Sequence, residues 1–347
     1  MARNLLPTPV AARRGRALTV AGVVLCSALA LTACSRGTDT EARAAGAEFD
    51  EPVEIVNCER TEVFDAVPQR IISQNNHVTE ILIQMGVGDR IVGMGYGEAT
   101  NVLPEAEEQF RSITSLAKEY PTREQVLDLE PDFVVAGMTS ALSETAGYTR
   151  EDLDGEGINT FLFSEYCGDG FPDIELLVED YRQLGQVLGA ETAAEELIDR
   201  ILGELAEVTE ALDAAGVEPV PTFFYDSGQD QPLTIGGTGI GNLIAEYAGA
   251  ENITPEGEKP YFASSWETIG ERAPEAIVIL DYGSASVEEK IDYLRSHPIM
   301  ATTPAVRDDR FVVVSLGDFF ESGRLTTSVR TIAEGLHPEA FSDADRP

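Results

Sequence analysis

Residues 171–216 read FPDIELLVEDYRQLGQVLGAETAAEELIDRILGELAEVTEALDAAG, and their periodicity sets the architecture. Ile174, Leu177, Val178, Tyr181, Leu184 and Leu188 recur in steps of three and four. Leu197, Ile198, Ile201, Leu202, Leu205, Val208 and Leu212 do the same. Each set makes one apolar stripe on a helix, with the acids on the opposite face. Gly189 reads as the C-cap of the first helix. Pro172 and Asp173 open that helix, where a missing N–H and a negative charge both suit a helix start. A strand-and-helix segment of similar length lies on either side. This placement predicts a rigid helical bridge between two lobes, residues 53–170 and 217–347. The competing reading is a pair of ordinary helices inside one continuous domain.

Working outward, RIISQ (70–74), RIVGM (90–94), DFVVA (132–136) and residues 159–163 are short β-rich runs in the first lobe. Between them lie a helix holding Val78, Ile81, Leu82 and Met85, a second opened by Pro121 and Thr122, and a third over 149–155. Thr122 and Gln125 have capping-box spacing. In the second lobe, strands are expected at 221–225, 274–280 and 310–314. Helices are expected at 240–247, after Ser265, at 287–295 and at 328–336. Alternating strands and helices with short connections predict an α/β fold of Rossmann-like lobes, with mostly parallel sheets covered on both faces. An internal echo links the halves: EQVLDLEPDFVV from Glu124 and ETIGERAPEAIV from Glu267 each place a glutamate seven residues before a proline and a buried strand. In such sheets ligands bind beyond the carboxyl ends of the strands, so two facing lobes would meet across a ligand cleft.

The run RIISQNNHVTEILIQMGVGDRIVG (70–93) is similar to the opening of substrate-binding proteins of iron–siderophore and vitamin B12 importers. EQVLDLEPDFVVAG, SWETIGERAPEAIVILDYG and GRLTTSVRTIAEGLHPE resemble later landmarks of the same family, so the resemblance covers nearly all of 58–341. It implies a single helical bridge, limited lobe motion and no enzymatic activity. It also implies that Glu124 and Glu267, one per lobe, meet arginines of an ABC permease dimer. Strong, directional and reversible Arg–carboxylate pairs suit such docking. The alternative is that each is a solvated helix-start acid favoured by the dipole.

The N-terminus reads as targeting. Arg3, Arg13, Arg14 and Arg16 precede a short apolar run, and Leu31-Thr32-Ala33-Cys34 resembles the lipobox of bacterial lipoproteins. That implies a signal peptide over 1–33, lipidation of Cys34, a flexible tether over 34–52 and a membrane-anchored, extracytoplasmic protein. The alternative is an ordinary secretory signal. Arg13-Arg14 lacks the apolar pair that a twin-arginine signal wants. Residues 1–33 hold four arginines and no acids, so the remainder sets 20 basic against 61 acidic residues, a formal charge of −41. Nucleic acid is excluded as a partner, because its binders need a basic footprint. With Cys26 lost and Cys34 lipidated, Cys58 and Cys167 are expected to form a disulfide across the first lobe; two separate buried thiols are the alternative.

Loops after strand ends should line the cleft. Asn76, His77, Tyr96 and Tyr166 are the first-lobe candidates for ligand contact. Tyr225, Tyr261, Trp266, Tyr282, Phe319 and Arg324 are those of the second. Aromatic faces with a few donors suit a bulky, partly apolar chelate. In the resemblance, Tyr261 stands where B12 binders carry a cleft tryptophan and Arg324 where siderophore binders place a cation. His77, His297 and His337 lie too far apart for a local metal cluster, so no metal site and no cofactor are expected, and any metal arrives already chelated. Arg324 is the main cation in reach, with Lys118 distant. A triply negative catecholate would want several, so a neutral or cationic ferric hydroxamate or a corrinoid fits better, with haem a further ligand left open. The glycine run 236–241 lacks GxGxxG spacing and reads as a loop entering a helix, with N–H groups toward the cleft. No GxSxG or HExxH stands in the chain, which leaves an exported enzyme as a weaker rival and an importer-free surface sensor as another. The protein is expected to act as a monomer.

Overall fold

The computed structural model describes residues 46–97, 101–168 and 173–342. The expected signal peptide, Cys34 and most of the expected tether lie outside them. The described chain enters through an antiparallel hairpin of β1 (Glu48–Asn57) and β2 (Arg60–Ala66). Cys58 and Glu59, at φ 53° and 61°, form its two-residue loop. Two successive left-handed residues are what a type I′ turn requires. β1 therefore begins inside the stretch expected to be tether. Phe49 and Val53 anchor it by packing against the main core, a detail that the polar average of 34–52 conceals.

The first lobe continues with β3 (Ile71–Ser73), α1 (Asn76–Gln84), β4 (Ile91–Met94), α2 (Glu107–Ser112), α3 (Arg123–Leu127), β5 (Phe133–Ala136), α4 (Arg150–Asp154) and β6 (Asn159–Leu162). Its sheet runs β4-β3-β5-β6, all parallel. The bridge follows as α5 (Ile174–Leu188) and α6 (Glu191–Ala215). The second lobe comprises β7 (Val220–Tyr225), β8 (Leu233–Ile235), α7 (Ile240–Tyr247), β9 (Ala250–Asn252), β10 (Tyr261–Ala263), α8 (Trp266–Glu271), β11 (Ala276–Asp281), α9 (Val287–Ser296), α10 (Pro304–Arg307), β12 (Phe311–Ser315) and α11 (Leu325–Leu336). Its main sheet runs β12-β11-β7-β9, also parallel, while β8 and β10 pair separately and antiparallel.

Read from the opposite edge, the second sheet is β9-β7-β11-β12, so both lobes place their strands in the chain order second, first, third, fourth. The echo in sequence is thus an echo in topology. It extends to the backbone: Glu130 and Ala273, each just before the proline of its repeat, sit at φ 45° and 48°. Thr122 and Ser265 each accept a hydrogen bond from the backbone of the third helical residue and cap the equivalent short helices α3 and α8.

The bridge is a bent pair. Gly189 takes the left-handed conformation at φ 61° and ends α5, and α6 starts two residues later. Asp173 is the N-cap of α5, its side chain accepting from the Glu175 N–H; Pro172 lies outside the described residues. Gly185 lets the helices approach, since a Cβ there would lie 2.7 Å from the Ala194 Cβ. Both apolar stripes are buried except at Leu202, which is 36% exposed at the edge of its arc. One continuous core runs from Val78 and Ile81 of α1 through Tyr181 and Leu205 of the bridge to Val329 and Ile332 of α11. The lobes therefore share packing as well as a connection. Among the described residues no helix is long and apolar enough to cross a membrane.

Cys58 and Cys167 form the expected disulfide, closing a separation of 109 residues. It ties the hairpin loop to the segment after β6. Buried polar groups reinforce the tie: Asn57 exchanges two 2.9 Å hydrogen bonds with the backbone of Leu162, and Arg150 donates to Glu62 at 3.1 Å and to Thr160 at 2.9 Å.

Candidate ligand site between the lobes

The carboxyl ends of both main sheets bring one buried polar cluster together. From the first lobe come His77 near the start of α1 and Glu165 in the turn after β6. From the second come Phe320 and Glu321, in the loop between β12 and α11. His77, Glu165 and Glu321 are 2%, 1% and 0% exposed. The His77 and Phe320 rings stack at 4.6 Å, and His77 Nε2 lies 3.5 Å from Glu321 Oε1. The Ile240 N–H, at the start of α7, donates to Glu165 Oε1 at 2.9 Å. The glycine run thus turns an N–H toward the cleft, and Gly239 is needed there because a Cβ would stand 2.8 Å from the same oxygen. Gly137, just past β5, makes room for His77 in the same way: a Cβ would fall 2.1 Å from Nε2.

Burial governs the charge state. The His77 imidazole is lowered to about 4, desolvation outweighing the nearby Glu165 and Glu80, so it is neutral at neutral pH and its contact with Glu321 is not an ion pair. Burial pushes Glu321 up to about 7. Glu165 is raised well above the usual carboxylate range, by burial first and then by the facing Glu321. The two carboxyls come close enough to hydrogen-bond when one holds a proton. Apart from that contact between the two carboxyls, Glu165 Oε2, both Glu321 oxygens, both His77 ring nitrogens, and the hydroxyls of Tyr166, Tyr261 and Thr238 are buried without a hydrogen-bond partner. Each such group costs about 1–3 kcal/mol of desolvation. Their concentration at one place between the lobes marks a surface built to meet something else.

Arg324 stands apart from this set. It is 5% exposed and committed: it pairs with Glu80 at 3.2 Å and with Asp318, and it donates to the Asn101 carbonyl at 2.7 Å. Its charge is matched by two carboxylates, so in this arrangement it acts as a lobe-to-lobe strut, assisted by Asn101 donating to Ser315 at 3.1 Å.

Of the sequence candidates, His77, Tyr166 and Tyr261 contribute to the cluster. Asn76 accepts from the His77 N–H, and the neighbouring Asn75 accepts from the Gly137 N–H. Tyr96 lies edge-on to Tyr120 at 5.0 Å. The Tyr225 hydroxyl donates to the Gly228 carbonyl, and Tyr282 to Asp226 at 2.6 Å. Phe319 is fully buried and packs on Phe224, leaving Phe320 as the ring facing the first lobe. Trp266 is 5% exposed in a satellite core with Phe223, Tyr225 and His297, its indole N–H donating to Gln229, and it does not join the cluster. Glu124 and Glu267 are exposed at the second position of α3 and α8, equivalent places in the two lobes. Glu80 and Glu321 escaped sequence reasoning. Glu80 carries a usable signal, an acid inside the otherwise apolar VTEILI of α1. Glu321 carries only its adjacency to Phe319-Phe320.

A family model described as Periplasmic binding protein matches residues 71–315. The chain is 24% identical over 324 residues to YvrC, an uncharacterized ABC transporter substrate-binding lipoprotein of Bacillus subtilis, covering 92% of this chain and 97% of that one. It is 28% identical over 221 residues to a vitamin B12-binding protein of Pectobacterium atrosepticum, 62% of this chain and 72% of that one. A periplasmic binding protein from Veillonella parvula superposes with a TM-score of 0.74 at 22% identity, over 83% of this chain and 98% of that one. The structure of an ABC-type Fe3+-hydroxamate transport system from Saccharomonospora viridis does so at 0.71 and 22% identity, over 82% and 99%.

Proposed function

The chain belongs to the periplasmic binding protein family, and from that premise we propose that it captures a bulky metal chelate between its lobes and delivers it to an ABC permease. The observation that carries this reading is the cluster of unpartnered polar atoms gathered from the strand ends of both lobes. Binding sites of open parallel sheets lie at such ends. In the closed arrangement the facing loops touch, so a guest enters only when they part. The shared core makes that parting a small shift of packed elements, with no free linker to swing on. Ligand contacts then replace the loop contacts and satisfy atoms that the closed form leaves without partners.

The charge of the cleft favours a neutral or cationic chelate, with a ferric hydroxamate first. Glu165 and Glu321 lie buried without a cation beside them, and Arg324 is already paired with Glu80 and Asp318, an environment hostile to a triply negative catecholate. A corrinoid is the second reading, supported by likeness to vitamin B12-binding relatives. The substrate-binding lipoprotein relative supports an extracytoplasmic place and a role in transport, with Cys34 as the lipid anchor. Calorimetric titration with a ferric hydroxamate, a ferric catecholate, cobalamin and haem tests the proposal. Stoichiometric binding of the hydroxamate with no heat from the catecholate is expected; silence across the whole panel contradicts it.

A further inference from the structure

Three buried groups of the cleft remain unexplained by closure alone. Neither Glu321 carboxyl oxygen has a hydrogen-bond partner outside the pair it makes with Glu165, and Glu165 has one such oxygen, its other being held by the Ile240 N–H. His77 presses the same place with neither ring nitrogen bonded. All three are at least 98% buried, and they come from two lobes. Closure could have been sealed with apolar side chains; instead the chain buries two carboxyls face to face, an arrangement that is stable only while a proton or a cation lies between them. The nearest arginine, Arg324, is spent on Glu80 and Asp318 and its guanidinium supplies nothing to this pair. Without a guest a shared proton fills that place, and a cationic guest can displace it.

We propose that Glu165 and Glu321 form a cation-recognition subsite, which selects ligands presenting a protonated amine or amidine to the two carboxyls. The proposal rests on the chelate-capture reading above and narrows its substrate to chelates carrying such a pendant cation. Geometry supports an organic cation over a bare metal ion. Among the described residues no group of three or more His, Cys, Asp or Glu side chains has metal-holding geometry. An ammonium needs only acceptors around it, and three free carboxyl oxygens supply them. His77 takes part as a neutral acceptor. Phe320, stacked on its imidazole, shields the site from water and so strengthens each charge-assisted bond. When a cation enters, the proton shared by the carboxyls leaves to solvent, so binding releases up to one proton per ligand.

The test uses the full chain and two ferric hydroxamate chelates that differ only at one pendant group, a free primary amine in the first and its N-acetyl derivative in the second. The amine chelate is expected to bind roughly 10- to 100-fold tighter, the fold-change of one charge-assisted hydrogen bond. Glu165→Gln and Glu321→Gln should each shrink that preference toward unity. Glu165→Gln keeps an oxygen for the Ile240 N–H, so thermal melting should report an intact fold. Titration in buffers of different ionisation enthalpy should report proton release for the amine chelate alone. Equal affinity for the two chelates, or a preference that survives both substitutions, overturns the subsite and leaves chelate capture standing. Binding of the metal-free amine ligand without any chelate binding overturns chelate capture and keeps the subsite. Silence toward all three overturns both. Tight binding of bare Ni(II) or Zn(II) that is lost in His77→Ala overturns the subsite in favour of a metal site.

Discussion

Glu321 illustrates how one buried side chain ties stability to pH. Its carboxyl titrates at about 7 in the folded chain against 4.5 for the free group. Between those values the folded state binds more protons than the unfolded state, so the stabilisation from this group is complete below pH 4.5 and is lost as the pH rises through 7. Asp180, buried and pushed up to about 7, acts in the same sense. His77 acts oppositely: lowered from 6.5 to about 4, it gives stability that is present above 6.5 and lost as the pH falls toward 4. Glu321→Gln should therefore flatten the fall in stability across this window, by at most about 1.4 kcal/mol per pH unit. Urea denaturation at a series of pH values measures it. An unchanged slope would mean that Glu321 titrates like an exposed carboxylate.

Among the elements, the β1–β2 hairpin depends most on long-range ties. Removing the Cys58–Cys167 bond with the paired substitution Cys58→Ser and Cys167→Ser should destabilise the protein by up to ~4–5 kcal/mol, the chain-entropy bound for a loop of this size. Denaturant midpoints of the two forms measure the loss. No change would mean that the Asn57–Leu162 and Glu62–Arg150 contacts hold the hairpin unaided. The hairpin also shows where sequence reading stops. Helices with a buried stripe or a cap, such as α5, α6, α7 and α9, announce themselves because period and capping chemistry are local. The parallel strands except β9 do so as short apolar runs between them. β1 does not: Glu48, Asp50, Glu51 and Glu54 face solvent beside an exposed Val56, and its inward Phe49 and Val53 gain meaning only from the core they reach. β8, β9 and β10 are three residues each, too short for any period to register. The site divides the same way. His77 is legible as a polar residue after a strand end, whereas Tyr261 opens β10, and the meeting of Glu165 with Glu321 joins positions 156 apart in sequence, which only the packing of two lobes brings together.

At the scale of the molecule, the repeat predicts how the protein meets its permease. Glu124 and Glu267 occupy the same position of equivalent capped helices, both exposed and each on its own lobe. Charge reversal at both, Glu124→Arg with Glu267→Arg, should abolish chelate uptake by cells while leaving the affinity of the purified protein unchanged. Uptake at the wild-type rate would remove the docking role and leave two solvated helix-start acids. The two four-stranded sheets, each with the same strand order, share one core through α5 and α6, and the proposed capture of a guest between the lobes then requires only small shifts. In that proposal one guest is held by both lobes at once. Hydrogen exchange read by mass spectrometry, with and without a saturating ferric hydroxamate, tests this most directly. New protection is expected in residues 136–140 and 163–167 of the first lobe together with 236–241 and 318–324 of the second. Protection confined to one lobe would contradict it, as would protection at the groove of about 560 Å3 lined by Gly216, Arg310 and His337.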